Sequence, residues 1–564
     1  MQHHRSTYNG SILLGLMILI LFWFAPAWMI FKTAMGGSEL NQPRGIIPNG
    51  FMANPPPWFD SEASFFRLPI LGWHSLRLSF ATAALAIPAG TLIGFILVRC
   101  RWYFRPFFQW IWLACIFLPL PVVASAWLGA IGNAGRSQAF GFTDQPLISG
   151  WPAAALIHAL AAVPLVVWVM SGLMLQVDDL LEKMSLIDDF MPFAIYRSTL
   201  RKCVPAALAS ALAVLIMTAG DMTVTDLVQE RTFAEEAYLQ AQMGDGLAAA
   251  ARTAIVPIFL ITLLILFWAK SNTIWLERFH GNSNTSDSIK AWLSGRAGFY
   301  SGLIAILWTL IAWGIPIAAL VWRAGRSGGH AISSSKPSWS ITALCHNMTA
   351  AWPDLAETLP YTLFVALVTA LTSTIMAWIL SEISVHHIVF QWAVLIGTAI
   401  GLAVPGPVAG LAVQWLWMPW QPVYDSWAVI IAAQVFRLMP IATLLIWPSV
   451  HFKSKPLRDM ASLEGLSISQ QFRCVQWPTT GPVALAATGV VFALAVGELP
   501  ATNMVSPPGV EMLSVRLWGL MHTGVESHLS AVVLDCMIAF GLMMGLFAII
   551  RPIFGKALNP FTSL

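Results

Sequence analysis

Between Ile12 and Ile550 the chain carries twelve predominantly apolar runs, each near 20 residues long and separated by charges or by Pro and Gly. A run of that length, wound as a helix, crosses a hydrocarbon layer about 30 Å thick. Inside lipid a backbone must satisfy its own hydrogen bonds, which restricts spanning segments to helices or closed barrels, and runs this long read as helices. With 57% hydrophobic and 10% charged residues, the chain lacks the charge to coat a soluble particle, for which roughly 25% is usual. A soluble enzyme, a nucleic-acid binder and a disordered scaffold are excluded. The expected fold is an all-α integral membrane protein of about twelve transmembrane helices in two parallel six-helix repeats. The net charge of +3 is too mild to argue for a polyanionic partner.

The first six spans are expected near Ile12–Phe31, Leu78–Val98, Phe107–Ile131, Trp151–Leu175, Val204–Leu227 and Thr253–Trp275. The second six fall near Tyr300–Trp322, Thr358–Leu380, Val389–Trp417, Trp427–Val450, Pro482–Leu499 and Leu529–Ile550. The first run leads into Phe31-Lys32-Thr33 without a clear cleavage site and is read as a retained helix. Placing the amino terminus in the cytoplasm puts 18 of the 30 Lys and Arg on the inner side, mostly in short loops where this bias is most reliable. Both termini are therefore expected in the cytoplasm. Lys32–His74 and Arg323–Asp354 then become long external loops.

The sequence also matches itself. Phe108-Gln109-Trp110 recurs as Phe390-Gln391-Trp392, while Ser185-Leu186, Pro205 and Gly220-Asp221 recur as Ser462-Leu463, Pro482 and Gly497-Glu498. An even number of crossings per copy gives parallel halves related by an axis along the membrane normal. The expected division is a first repeat over 1–276, a polar linker over 277–298 that lacks the apolar residues to pack, and a second repeat over 299–564.

Chemistry-bearing positions are few. The six cysteines are scattered without a CxxC pair and the twelve histidines show no ligand spacing, so neither a catalytic nor a metal site is assigned. Leu457-Arg458-Asp459-Met460-Ala461-Ser462-Leu463-Glu464-Gly465 reads as a short amphipathic helix closed by a glycine turn, or as a solvated loop. Asp221 and Glu498 follow a glycine at matching places, at or near the outer ends of the fifth helix of each half. An acid in lipid is expensive, so each either lines a wet route or serves structure as a cap or ion pair. Arg437, within the tenth helix, is expected to pair with an acid of the neighbouring bundle or to meet an anionic ligand.

The Asp459, Ala461 and Gly465 segment resembles the Glu-Ala-Ala loop of the permease subunits of ATP-binding-cassette importers. Gly497-Glu498-Leu499-Pro500-Ala501-Thr502, Ser506-Pro507-Pro508-Gly509 and Leu520-Met521-His522-Thr523-Gly524 are similar to the fused, two-copy permeases of iron(III)-type importers, whose relatives carry thiamine, sulfate or polyamines. Asp221 to Leu227 and Ala234-Glu235-Glu236-Ala237-Tyr238 are similar in the first half. The resemblance implies a coupling helix seated in a groove of a cytoplasmic ATPase dimer, a solute-binding protein outside the cell, and residence in a bacterial inner membrane. The corresponding first loop is degenerate: around Glu182 and Asp188, Met184 stands for the family's alanine and Asp188 for its glycine. No G-x-x-x-x-G-K-[ST] occurs, so ATP is expected to be used by a separate partner chain and this chain is not expected to be an enzyme. An ion-coupled secondary transporter with parallel halves is the rival reading, favoured only by Asp221 and Glu498.

Overall fold

The computed structural model describes residues 13–35, 61–132, 146–175, 177, 184–185, 187, 191–243, 247–280, 295–327, 338–523 and 525–550. It is an all-α integral membrane protein in which ten helices are long and apolar enough to cross a membrane, or up to twelve if two sharply bent pairs each count as one span. In chain order these elements are α1 (Leu13–Met35), α2 (Ser61–Arg99), α3 (Arg105–Phe117), α4 (Leu120–Ile131), α5 (Trp151–Met174) and α6 (Phe193–Ala219). Two short helices follow, α7 (Thr223–Leu227) and α8 (Phe233–Met243), and then α9 (Leu247–His280). The remainder comprises α10 (Gly295–Ala324), α11 (Ile341–Ser384), α12 (Ile388–Ala403), α13 (Gly406–Trp417), α14 (Trp427–Phe452) and α15 (Lys455–Leu463). It ends with α16 (Ser469–Val496), α17 (Thr502–Val505), α18 (Leu513–Thr523) and α19 (Glu526–Ile550). Among the described residues the only strands are two-residue ones, Arg326–Ser327 paired antiparallel with Ser338–Trp339.

Two expected spans are corrected. Phe107–Ile131 is not one helix but α3 and α4, meeting at 105°, and Val389–Trp417 is α12 and α13, meeting at 114°. The cause is local. Proline has no N–H and disfavours the helical conformation in the residue before it. Leu118 (φ −75°, ψ 120°) before Pro119 and Val404 (φ −72°, ψ 122°) before Pro405 are accordingly extended. In each pair the proline then stands as the residue before the next helix, where its missing donor costs nothing.

The expected external loops are partly helical. α2 runs for 39 residues and α11 for 44, which at 1.5 Å per residue is about 58 and 66 Å, well beyond a ~30 Å hydrocarbon layer. Hydropathy marks where lipid ends; the backbone hydrogen bonds continue past it. Ser340 starts α11 by accepting the Ala343 N–H at 3.1 Å.

α2 packs against α5 and α6, while α11 packs against α14, α16 and α19, giving two bundles. The first helix of each half packs on the last spanning helix of its own half, α1 on α9 and α10 on α19, and also reaches across to the other. α1 lies on α12 and α13, with Trp23 fully buried, and a Cβ at Gly397 would sit 2.2 Å from the Trp23 ring. α10 lies against α4, and a Cβ at Gly302 would meet Trp102 at 2.9 Å. Glycine is thus needed at both crossings so that an indole can lie against backbone.

Candidate functional site

α14 widens into a π-helical turn over Ser449–Ser454 before Lys455-Pro456 opens α15. Proline suits the first turn, where an N–H has no intrahelical partner. At the other end the Gly465 N–H bonds to Ser462 O and the Leu466 N–H to Ala461 O, both at 3.1 Å, while Gly465 adopts φ +80°. This is a Schellman C-cap. A Cβ at Gly465 would meet nothing within 4 Å, so the glycine is there for its backbone conformation rather than for close packing. Arg458 and Ala461 face inward, and Arg458 pairs with Glu382 near the end of α11. Glu382 also accepts from the Trp378 indole at 3.2 Å and the Gln476 amide at 3.5 Å. Leu457, Met460 and Leu463, at i, i+3 and i+6, are 47, 65 and 88% exposed, and Asp459 is exposed beside them. A cation held inward and aliphatic side chains turned outward reverse the usual arrangement, and exposed apolar surface of this kind marks a contact face. In the first half Met184 and Ile187 are helical and exposed, whereas Glu182 and Asp188 lie outside the described residues.

Asp221 and Glu498 each stand just past a helix whose C-cap is the preceding glycine, Gly220 for α6 and Gly497 for α16. Both are buried, at 7 and 6% exposure. Their carboxylates turn toward the next helix. Glu498 accepts the Ala501 and Thr502 N–H groups at 3.0 and 2.8 Å and the Thr502 hydroxyl at 2.5 Å, and so caps α17. Asp221 accepts the Val224 N–H at 3.2 Å at the start of α7, with His158 Nε2 at 3.6 Å from the same oxygen. Of the two functions expected for these acids, the geometry displays capping.

Arg437 of α14 lies 3.6 Å from Glu498 Oε1 and thus faces an acid of its own half. Its guanidinium rests on Gly406, where a Cβ would come within 1.9 Å of Nη1, and faces Gly220 of the other half, where a Cβ would lie 4.0 Å from Nη2. Gly497 in turn abuts the first-half bend, 3.1 Å from a Cβ position to Pro119 Cα. The two bends and the two glycine-acid turns therefore meet at one place between the halves.

Several polar residues there gave no motif. Gln434, fully buried, accepts from Thr369 at 3.0 Å and donates to Thr502 Oγ1 at 3.1 Å and Ala495 O at 3.3 Å, extending the Glu498 network through α14 to α11. Trp151 and Pro164 of α5 stand 276 residues before Trp427 and Pro440 of α14. At that offset His158 matches Gln434, and both reach toward the Gly-acid turn. Arg437 matches Ala161. That pairing was available in the sequence once the Trp and Pro positions were aligned. Contacts between halves also escaped it: His522 of α18 lies 2.8 Å from Asp226 of α7, and the Tyr238 and Trp518 rings meet edge to face at 5.9 Å.

A cavity of about 30 Å³, bordered by Gly129, Arg323, Glu526 and Ser530, lies where α4, α10 and α19 meet. Arg323 and Glu526 pair across it at 3.1 Å. Among the described residues no group of three or more His, Cys, Asp or Glu could hold a metal ion. No protein-family model matches the chain, and no curated protein is similar to it.

Proposed function

We propose that the chain is the membrane permease of an ATP-driven importer, moving iron(III) or a related small solute inward across a bacterial inner membrane. The observation that carries this reading is α15: a short helix locked to α11 through Arg458 and Glu382, closed by a C-cap glycine, with Leu457, Met460 and Leu463 turned out to a partner. Such a helix transmits motion because its base cannot slide independently of the spans it is tied to. A cytoplasmic ATPase dimer would seat on this helix and on the first-half loop around Glu182 and Asp188. A solute-binding protein would deliver cargo at the opposite face. ATP is bound and hydrolysed by the partner, and this chain supplies the route. That route runs between the halves, where the bends at Pro119 and Pro405 meet Gly220 and Gly497, and it opens to alternate sides as one bundle rocks against the other. Both termini then lie in the cytoplasm.

The rival, an ion-coupled transporter, needs acids free to take up and release its ion. Asp221 and Glu498 are instead engaged as helix caps. The deciding experiment is affinity purification of the tagged chain from its native membrane. Recovery of an ATP-binding-cassette ATPase that is lost with Leu463→Asp supports the importer reading; an ATPase-free complex whose uptake follows an ion gradient overturns it.

A further inference from the structure

At the centre between the halves both acids are engaged as helix caps, and the hydrogen-bonding capacity left over includes the guanidinium of Arg437. Glu498 spends its carboxylate on two backbone N–H groups and a hydroxyl, and Asp221 turns an oxygen onto the Val224 N–H. Arg437 is the opposite. Its Nη1 is shielded from solvent and has no hydrogen-bond partner among the described residues; its ion pair with Glu498, at 3.6 Å, is longer than a hydrogen bond. The side chain keeps 21% of its surface open, so it is not sealed into a core. Guanidinium carries five N–H donors in a planar fork suited to two oxygens of one oxyanion, and it stays charged at any physiological pH. The bare backbone at Gly406 and Gly220 leaves room for it on both sides. The matching position in the first half, Ala161, carries no charge.

We infer that Arg437 is the ligand-binding residue of the passage and that the solute crosses as an oxyanion, presenting a carboxylate, sulfate or phosphate group either as the free solute or as an organic chelate around a metal. This rests on the reading of the chain as a permease with its route between the halves. A bare cation would find the lone pairs of both acids already turned onto helix donors, with the Arg437 charge beside Glu498. An oxyanion would meet donors held in place before it arrives.

The full chain in lipid nanodiscs is titrated, by tryptophan fluorescence and calorimetry, with sulfate, phosphate, citrate and ferric citrate, and separately with spermidine and magnesium chloride. The expected result is binding of at least one oxyanion and of neither cation. Arg437→Gln should weaken that oxyanion by about tenfold or more, and Arg437→Lys by less, since an ammonium keeps the charge but loses the fork. Gly406→Ala keeps the charge and displaces the guanidinium, so it should also weaken binding; it provides an independent route to the answer if Arg437→Gln does not fold. Cation binding without oxyanion binding, no oxyanion binding by the wild type, or equal oxyanion affinity in a folded Arg437→Gln or Gly406→Ala variant overturns the assignment. Recovery of an ATPase partner is scored on the same preparations. Oxyanion binding through Arg437 without an ATPase removes the ATP-driven reading alone, and an ATPase without oxyanion binding removes this inference alone.

Discussion

Glu235 illustrates at a single carboxyl how burial fixes a charge state. It lies on α8, outside the candidate spans, at 6% exposure, with Oε2 lacking a partner among the described residues. Burial first, and then the neighbouring Asp226, push its pKa up to about 8, against smaller opposing effects of Arg231 and the Thr232 backbone. A group protonated more readily when folded binds more protons in the native than in the unfolded state between about 4.5 and about 8, so stability falls as pH rises through that window. Glu235→Gln should therefore unfold at a higher temperature than wild type above pH 8, with the gap closing toward pH 4.5; thermal scans of the solubilised protein at several pH values read this. Asp221 and Glu498 predict a contrast of another kind. Losing a cap costs about 1 kcal/mol, and Glu498 holds three donors. Glu498→Ala should thus lower thermal stability more than Asp221→Ala. The matching glycine-acid pairs were legible in the sequence, but the direction of each carboxylate was not, because it is set by the turn that follows. Arg437 was visible as a charge in an apolar run, while its setting between Gly406 and Gly220 required the fold.

For whole elements, the sequence showed the spans wherever composition reports on lipid and missed them wherever the backbone departs from it. Pro119 and Pro405 sit inside apolar runs that hydropathy reads as continuous, yet each turns its helix through more than 100°. α2 and α11 continue beyond their apolar stretches because their hydrogen bonds need no lipid. α15 was readable as a short amphipathic helix closed at Gly465; its outward Leu457, Met460 and Leu463 and its tie to Glu382, 76 residues earlier, were not. If α15 is the coupling helix, Gly465→Asp or Asp459→Lys should abolish transport while insertion and folding persist, measured as uptake per folded molecule beside ATPase recovery. Normal uptake and wild-type ATPase recovery would remove α15 from that role. Glu382→Gln should lower coupling too, because it leaves Arg458 buried without its counter-charge. The expected signature is ATP hydrolysis retained with uptake reduced.

The whole molecule is an all-α membrane protein in which α1 packs on α9 and also reaches α12 and α13, while α10 packs on α19 and also reaches α4. Its sidedness is tested by single-cysteine labelling: positions 278 and 455 should react from the cytoplasmic face, and positions 56 and 334 from the outside. Finding 278 and 455 on opposite faces would overturn the expectation of parallel halves. The internal sequence matches suggested two like halves, but not that α1 and α10 reach across the boundary, since such contacts leave hydropathy unchanged.

The reach of α1 has a consequence in time. Trp23 leaves the ribosome some 374 residues before Gly397, the backbone it finally rests on. At 5–20 residues per second the wait is on the order of tens of seconds. Throughout it α1 sits in the bilayer with a flat, indole-bearing face and its final neighbours on α12 and α13 not yet made. Assembly therefore closes from the carboxyl-terminal side. A chain interrupted between 281 and 294 should leave its first fragment exposed to membrane proteases, and supplying residues 295–564 as a separate polypeptide should protect it.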